Sequence, residues 1–274
     1  MGRVGTARSA PKRLVASLVG LATALVVAVV FVLVLVLGPS EAPSRPASQS
    51  STLASTPTTG HPSKAGLRAV GSGIWSDEEA AARVHRSGFE PRPGNAAENL
   101  RMPTADELAT FRRYTGQWGE CEHLRAKVTG GFVGTTDEIL QWAAWKWGLP
   151  EDVLRAVAVS ESNWDMSYNG DGGASWGLMQ IKNVERWHGG TYELSRRSTA
   201  FNVDYHAGMV RHYFEGCATW MQDHTYGGHI YGPGDFWGSI GAWFSGDWYS
   251  PESENYVAGV KRHLTDVPWE RQGF

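Results

Sequence analysis

Apolar residues recur along this chain in two different ways. From Leu14 to Leu37 they run on with small residues and without a charge. As a helix that segment would reach about 36 Å, enough to cross a bilayer core. After Trp75 they recur at spacings of three and four, the mark of helices that bury one face. Ser76 with Glu79, Thr104 with Glu107 and Thr135 with Glu138 each have the form of a capping box. They predict helices over 76–86, 104–113 and 136–147. In the third, Ile139, Trp142, Ala143 and Trp147 fall on one stripe and Trp145 lies off it. Such a stripe reads as core rather than as a sugar platform. Residues 87–103, with Pro91, Pro93 and Pro103, predict an extended connection. Phe201, Tyr205, Met209 and Tyr213 predict a helix over 198–216, and Ser250 with Pro251 opens a last one. The expected fold is mainly α, with helices joined by Gly-rich loops.

The helix after Pro150 carries the candidate chemistry. Pro150 suits a first helical position, and Glu151 and Asp152 suit the positive end of the helix dipole. Leu154, Val157 and Ala158 share a face with Glu161, at spacings of seven, four and three. The carboxylate of Glu161 is therefore expected on the apolar face, near the negative end of the helix. Burial and the dipole both disfavour its charge, so both raise its pKa. A carboxylic acid still protonated near neutral pH is suited to be a general acid. Taken alone, a buried structural Glu is the competing reading.

Glu161-Ser162, a Gly- and Asp-rich loop, and then Gly177-Leu178-Met179-Gln180-Ile181 follow in that order. This arrangement resembles the signature of the soluble lytic transglycosylases, whose fold goose-type lysozymes share. The resemblance covers about residues 134–264 and implies a lysozyme-like fold. It also implies a single catalytic Glu, Glu161, that cuts peptidoglycan between N-acetylmuramic acid and N-acetylglucosamine and leaves a 1,6-anhydro sugar. By the resemblance Ser162, Ser175, Met179 and Gln180 are expected to bind substrate at the sugar cleft, Asn202 matches a family Asn at the start of its helix, and Tyr256 matches a Tyr that faces the Glu. As competing readings, Met179 is core packing and Tyr256 a core residue with its hydroxyl satisfied. Two departures stand out. His206 replaces a small residue, and Ala242-Trp243-Phe244-Ser245-Gly246 stands where the family has Ala-Tyr-Asn-Ala-Gly. Asp171 lies six residues before Gly177, where goose-type lysozymes carry an Asp that holds the attacking water. As a plain turn residue, Asp171 would serve its own backbone instead; Asp165 is a second, poorer candidate. The alternatives are thus a transglycosylase, a hydrolytic muramidase, and an inactive wall-binding protein. Trp176, Trp187, Trp220, Trp237 and Trp248, in the loops, are the candidates for stacking on sugars.

Composition divides the chain further. Residues 1–13 carry Arg3, Arg8, Lys12 and Arg13 and no acid, so they are expected to stay cytoplasmic, with everything after an anchor at 14–37 outside. A cleaved signal peptide is the competing reading, but its apolar region is usually shorter, about 7–15 residues. Residues 38–74 are rich in Ser, Pro, Thr and Gly and read as a disordered linker. All 13 Trp residues fall at or after Trp75, so folding is expected from there, as a helical extension over 75–130 and a catalytic domain over 131–274. The net charge of −3 gives no sign of nucleic-acid binding. The expected partners are glycan strands and, through 14–37, a membrane. Cys121 and Cys217, both on the outer side, are expected to form a disulfide. No cofactor is expected. The nine His residues include no His-Glu-x-x-His, and His224 and His229 in one loop are weak metal candidates.

Overall fold

Three reciprocal capping boxes start three of the helices. The Ser76, Thr104 and Thr135 hydroxyls accept from the backbone of Glu79, Glu107 and Glu138, whose carboxylates return the bond. The computed structural model describes residues 64–114 and 118–274. The expected cytoplasmic segment 1–13, the membrane segment 14–37 and the linker up to 63 lie outside them. Among the described residues no helix is long and apolar enough to cross a membrane.

The protein is mainly helical. In chain order come α1 (Asp77–Ala81), α2 (Ala96–Asn99), α3 (Ala105–Arg113), α4 (Glu122–Arg125), α5 (Thr136–Trp147) and α6 (Glu151–Ser162). Three two-residue strands follow: β1 (Asn169–Gly170), β2 (Ser175–Trp176) and β3 (Ile181–Lys182). Then come α7 (Glu185–His188), α8 (Tyr192–Arg197), α9 (Thr199–Phe214), α10 (Phe236–Ser245) and α11 (Pro251–Asp266). The strands form one antiparallel sheet in the order β1-β2-β3, with Gly170 opposite Ser175 and Ser175 opposite Lys182.

The core lies where α5, α6 and α9 meet, with α10 and α11 packed on α9 and α6. Ile139, Trp142, Ala143 and Trp147 are fully buried, as their stripe predicts, while Trp145 lies outward and stacks on Trp75 at 5.5 Å. The helix α9 is buried along its whole length, not only on the face of Phe201, Tyr205, Met209 and Tyr213. Its other faces carry Asp204 and Arg211, and both are satisfied. Asp204 accepts from the Thr129 and Gly130 backbone, from Trp147 Nε1 at 2.6 Å and from Lys146 Nζ at 2.7 Å. Full burial of a charge is tolerated only with such pairing.

Three expectations change. The helix expected over 76–86 ends at Ala81, and the connection 87–103 is not wholly extended. It holds a 3₁₀ turn at Pro93–Asn95 and then α2, because Pro93 can open a helical turn even where it cannot continue one. Residues 64–74, expected as the end of a free linker, form a strap against the domain. Ala65 is buried and its N–H donates to Glu151, Arg68 donates to the carbonyls of Trp145 and Lys146 at the end of α5, and Arg211 donates to the carbonyls of Arg68 and Ala69. The partners of the strap are polar groups, backbone carbonyls and charged side chains, so hydrophobic patterning does not reveal it.

Two more ties join the segment before α5 to the core. Asn95, buried, donates to Thr136 and to the Trp164 carbonyl and accepts from Met166 N–H, which fixes the chain where it leaves α6. Cys121 and Cys217 form a disulfide, with Cα atoms 5.8 Å apart, that ties the start of α4 to the segment after α9.

Candidate active site

The helix α6 begins after Pro150, which caps it from outside rather than standing at its first position, and ends at Asn163 in a left-handed conformation with φ 54°. Leu154, Val157 and Ala158 are buried. Glu161, on the same face one turn on, reaches the edge of the core, where a cleft opens. The cleft has a volume of about 1110 Å³. The end of α6 forms its floor. The small sheet contributes Tyr168, Asp171, Gln180 and Lys182; α7 contributes Arg186, Trp187 and His188; the last turn of α10 and the loop after it contribute residues 242–247.

Glu161 is half-buried and held by two donors. The Tyr256 hydroxyl, from α11, donates to Oε1 at 2.5 Å, and the Trp243 indole N–H, from α10, donates to the same oxygen at 3.3 Å. Burial pushes the Glu161 pKa up to about 7. The Tyr256 and Trp243 hydrogen bonds and the charge of Lys182 act against the rise, and Asp171 adds to it. Burial outweighs the hydrogen bonds, so the carboxyl is close to half-protonated at neutral pH. Tyr256 is itself pushed well above the ordinary phenol range, by burial and then by Glu161.

Asp171 does reach the cleft. It sits in the β1–β2 turn at φ 51°, ahead of Gly172 at 64° and Gly173 at 101°. Its Oδ2 accepts from Ser175 at 2.7 Å and pairs with Lys182 at 3.2 Å. The Ser175 hydroxyl, and after it Lys182, holds the Asp171 carboxyl below the usual carboxylate range, so it is ionised. Its side chain thus serves the sheet wall, while its backbone at φ 51° forms the turn. Asp165, the poorer candidate, accepts from Ser167 and is not part of the cleft lining.

The other residues expected at the site divide. Ser175 and Gln180 border the cleft. Gln180, at φ 48°, accepts from Gly170 N–H and donates to the carbonyls of Tyr168 and Gly177, so its amide fastens the sheet together. Ser162, Met179 and Asn202 are buried away from the cleft. Ser162 donates to the Leu178 carbonyl. Asn202 accepts from Met179 N–H and donates to the carbonyls of Trp176 and Ser195. These three bind the loop of the signature to α6 and α9; they shape the site without facing it. At Gly177 this backbone position admits only glycine. It lies at φ 77°, and a Cβ there would stand 2.4 Å from Asn202 Nδ2 and 2.7 Å from the Ser195 carbonyl.

Of the five tryptophans expected in loops, Trp176 lies in β2, Trp187 in α7 and Trp237 in α10; Trp187 and Trp220 border the cleft and are partly exposed. Trp248 is fully buried, Trp176 lies beneath Arg196, and Trp237 lies beneath Lys261. The residue missed from sequence as a partner of Glu161 is Trp243. Its motif was visible only as a departure, and nothing local says that its N–H points at a residue 82 positions earlier. Two histidines pack around it. His188 is 5.7 Å away, tilted, with Nδ1 2.9 Å from the Tyr205 hydroxyl, and His206 is 4.6 Å away, edge-on. Burial pushes them down to about 4 and about 3, so both are neutral at pH 7.

Metal-ligand types converge weakly among the described residues. The ligand atoms of Cys121, His212 and Cys217 lie within 4.8 Å of one another, but the disulfide consumes both sulfurs. His224 pairs with Asp247 at 3.1 Å, and His229 stacks on Tyr249 at 3.7 Å. Comparison of the chain with protein-family models, with curated proteins and with solved structures found no match.

Proposed function

We propose that this protein cleaves the glycan strands of peptidoglycan as a lytic transglycosylase of lysozyme-like fold, with Glu161 as its acid and base. The observation that carries the reading is the state of Glu161: a carboxyl on the floor of an open cleft, poised by burial near pH 7. Added to it is the resemblance of Glu161-Ser162 and Gly177-Leu178-Met179-Gln180 to the transglycosylase signature.

In this reading the cleft binds the strand with the bond between N-acetylmuramic acid and N-acetylglucosamine over Glu161. Protonated Glu161 gives its proton to the linking oxygen as the bond from muramic C1 to that oxygen breaks. The N-acetyl group of the muramic residue stabilises the cation left at C1. Glu161, now a carboxylate, takes the proton of the C6 hydroxyl as O6 closes onto C1. The products are a free hydroxyl on the leaving sugar and a 1,6-anhydro end, and Glu161 is again protonated. No water enters, and the attack is intramolecular, so it has the proximity advantage of a tethered nucleophile. One residue can be acid and then base because its pKa lies near the working pH. Exposed Trp187 and Trp220 offer faces for sugar rings. The segment 14–37 would hold the enzyme at the outer face of the membrane, within reach of the wall.

Asp171 favours a second reading, hydrolysis. It is ionised, on the wall of the cleft that Glu161 also lines, and could hold a water for attack at C1. Two carboxylates flanking the bond are the usual requirement of a glycosidase that uses water. Mass spectrometry of muropeptides released from purified peptidoglycan separates the readings. Anhydro-muramic ends, lighter by one water than reducing ends, support the transglycosylase, and Asp171→Asn then retains turnover. Reducing ends that disappear in Asp171→Asn support the muramidase. A wild type that binds walls without clearing them, and matches Glu161→Gln in this, refutes both and leaves a wall-binding protein.

A further inference from the structure

Two donors converge on one oxygen of Glu161. The Tyr256 hydroxyl and the Trp243 indole N–H both reach Oε1, at 2.5 Å and 3.3 Å. Each donor is backed by another ring. Phe244 stacks parallel to Tyr256, with centroids 4.6 Å apart and planes 9° from parallel. His206, on α9, meets Trp243 edge-on, with centroids 4.6 Å apart and planes at 84°.

His206 is an expensive choice for that position. It is buried, and among the described residues neither of its ring nitrogens has a hydrogen-bond partner. It borders a small void otherwise lined by apolar residues, among them Leu154, Val157, Phe236 and Ile240. An unpaired polar group in such a place opposes folding. The ring is nevertheless fixed directly behind the indole that donates to Glu161. An aromatic edge against an aromatic face is a favourable geometry, so the imidazole acts here as a rigid neutral ring.

A protonated carboxyl has one oxygen that carries the proton and one that only accepts. An oxygen that already receives an O–H and an N–H is the acceptor. We propose that Trp243, braced by His206, is a positioning residue that together with Tyr256 reserves Oε1 as the acceptor, so that Oε2 carries and delivers the proton. The proposal rests on the reading of Glu161 as a general acid. When Oε2 gives its proton to the linking oxygen, Glu161 becomes anionic, and hydrogen bonds to an ionised acceptor are about twice as strong as neutral ones. Both donors therefore favour the carboxylate that the first step produces, and both hold its pKa below the value that burial alone would set. The groups that act on Glu161 are Tyr256 from α11, Asp171 and Lys182 from the sheet, and Trp243 from α10. Around the indole, His188 of α7 and His206 of α9 stay neutral through this range, while Asp171 stays ionised and Tyr256 protonated.

The test is a carbon-13 NMR titration of the Glu161 carboxyl in the full chain, with Glu161→Gln identifying the resonance; it needs no substrate. Trp243→Phe keeps a ring against His206 and removes the donor. The Glu161 titration should move up by about half to one pH unit, because a bond that favours the carboxylate is lost. His206→Phe keeps an edge for Trp243 and should leave the titration within about 0.2 pH unit of wild type, whereas His206→Ala should move it upward like Trp243→Phe. On peptidoglycan, the alkaline limb of kcat/KM should follow the same shifts. An unmoved titration in Trp243→Phe overturns the positioning role, and equal shifts in His206→Phe and His206→Ala overturn the bracing by His206. A wild type that titrates near pH 7 and answers to Trp243 but cleaves no wall overturns the proposed function and the delivery step. In that case it is the enzyme reading that fails, not the assignment of donors.

Discussion

Replacing Glu161 with Gln removes a charge while keeping an oxygen for Tyr256 and Trp243 to donate to, so it isolates what that charge costs the fold. In the folded protein the carboxyl titrates near 7, against an ordinary value of 4.5. Below pH 4.5 it is protonated in both folded and unfolded chains, and the variant should match wild type. Between 4.5 and 7 the unfolded chain releases the proton and the folded one keeps it. Rising pH therefore favours unfolding by about 1.4 kcal/mol per pH unit. Above 7 the residue is ionised in both states and the full penalty stands, about 3 kcal/mol from the two values. Glu161→Gln should thus be about 3 kcal/mol more stable than wild type at pH 8 and equal to it near pH 4. Urea unfolding followed by tryptophan fluorescence at a series of pH values measures the difference. Comparison at each pH cancels the titrations the two proteins share. A difference that is flat with pH, or below about 0.5 kcal/mol at pH 8, would refute the claim that burial controls this carboxyl.

Three further predictions concern the scaffold. Asp204→Asn weakens the acceptor for Lys146, Trp147 and two backbone N–H groups and should cost about 3 kcal/mol in chemical unfolding, since one partner of a buried ion pair is lost. Gly177→Ala should lower stability by more than about 2 kcal/mol, because the added Cβ meets Asn202 and Ser195 at a left-handed backbone position; the same unfolding assay reads it. Reduction of Cys121–Cys217, which closes a loop of 96 positions, should cost about 2–5 kcal/mol, measured as the shift of the unfolding midpoint with and without reductant.

The sequence by itself determined several helix starts and the buried face of α6. Ser76, Thr104 and Thr135 set three helix starts because a capping box is satisfied within four residues of chain. The spacing of Leu154, Val157 and Ala158 placed Glu161 on a buried face for a similar reason: helical periodicity is local. The cysteine pair announced a long-range tie. Tertiary structure decided everything that depends on which distant group a polar atom meets. Periodicity predicts one apolar face for α9, and only the fold supplies Lys146, the Thr129 and Gly130 backbone, and the strap at 68–69 that allow Asp204 and Arg211 to be buried on the others. Ser162, Met179 and Asn202 lie behind the cleft, where Ser162 and Asn202 fasten the loop before β3 to α6 and α9. Asp171 turned toward the cleft because Ser175 and Lys182, brought across by the small sheet, gave its carboxylate partners there. The indole of Trp243 and the hydroxyl of Tyr256 reach one oxygen of Glu161 from two helices far along the chain. Residue type gives their capacity to donate, but packing alone aims them.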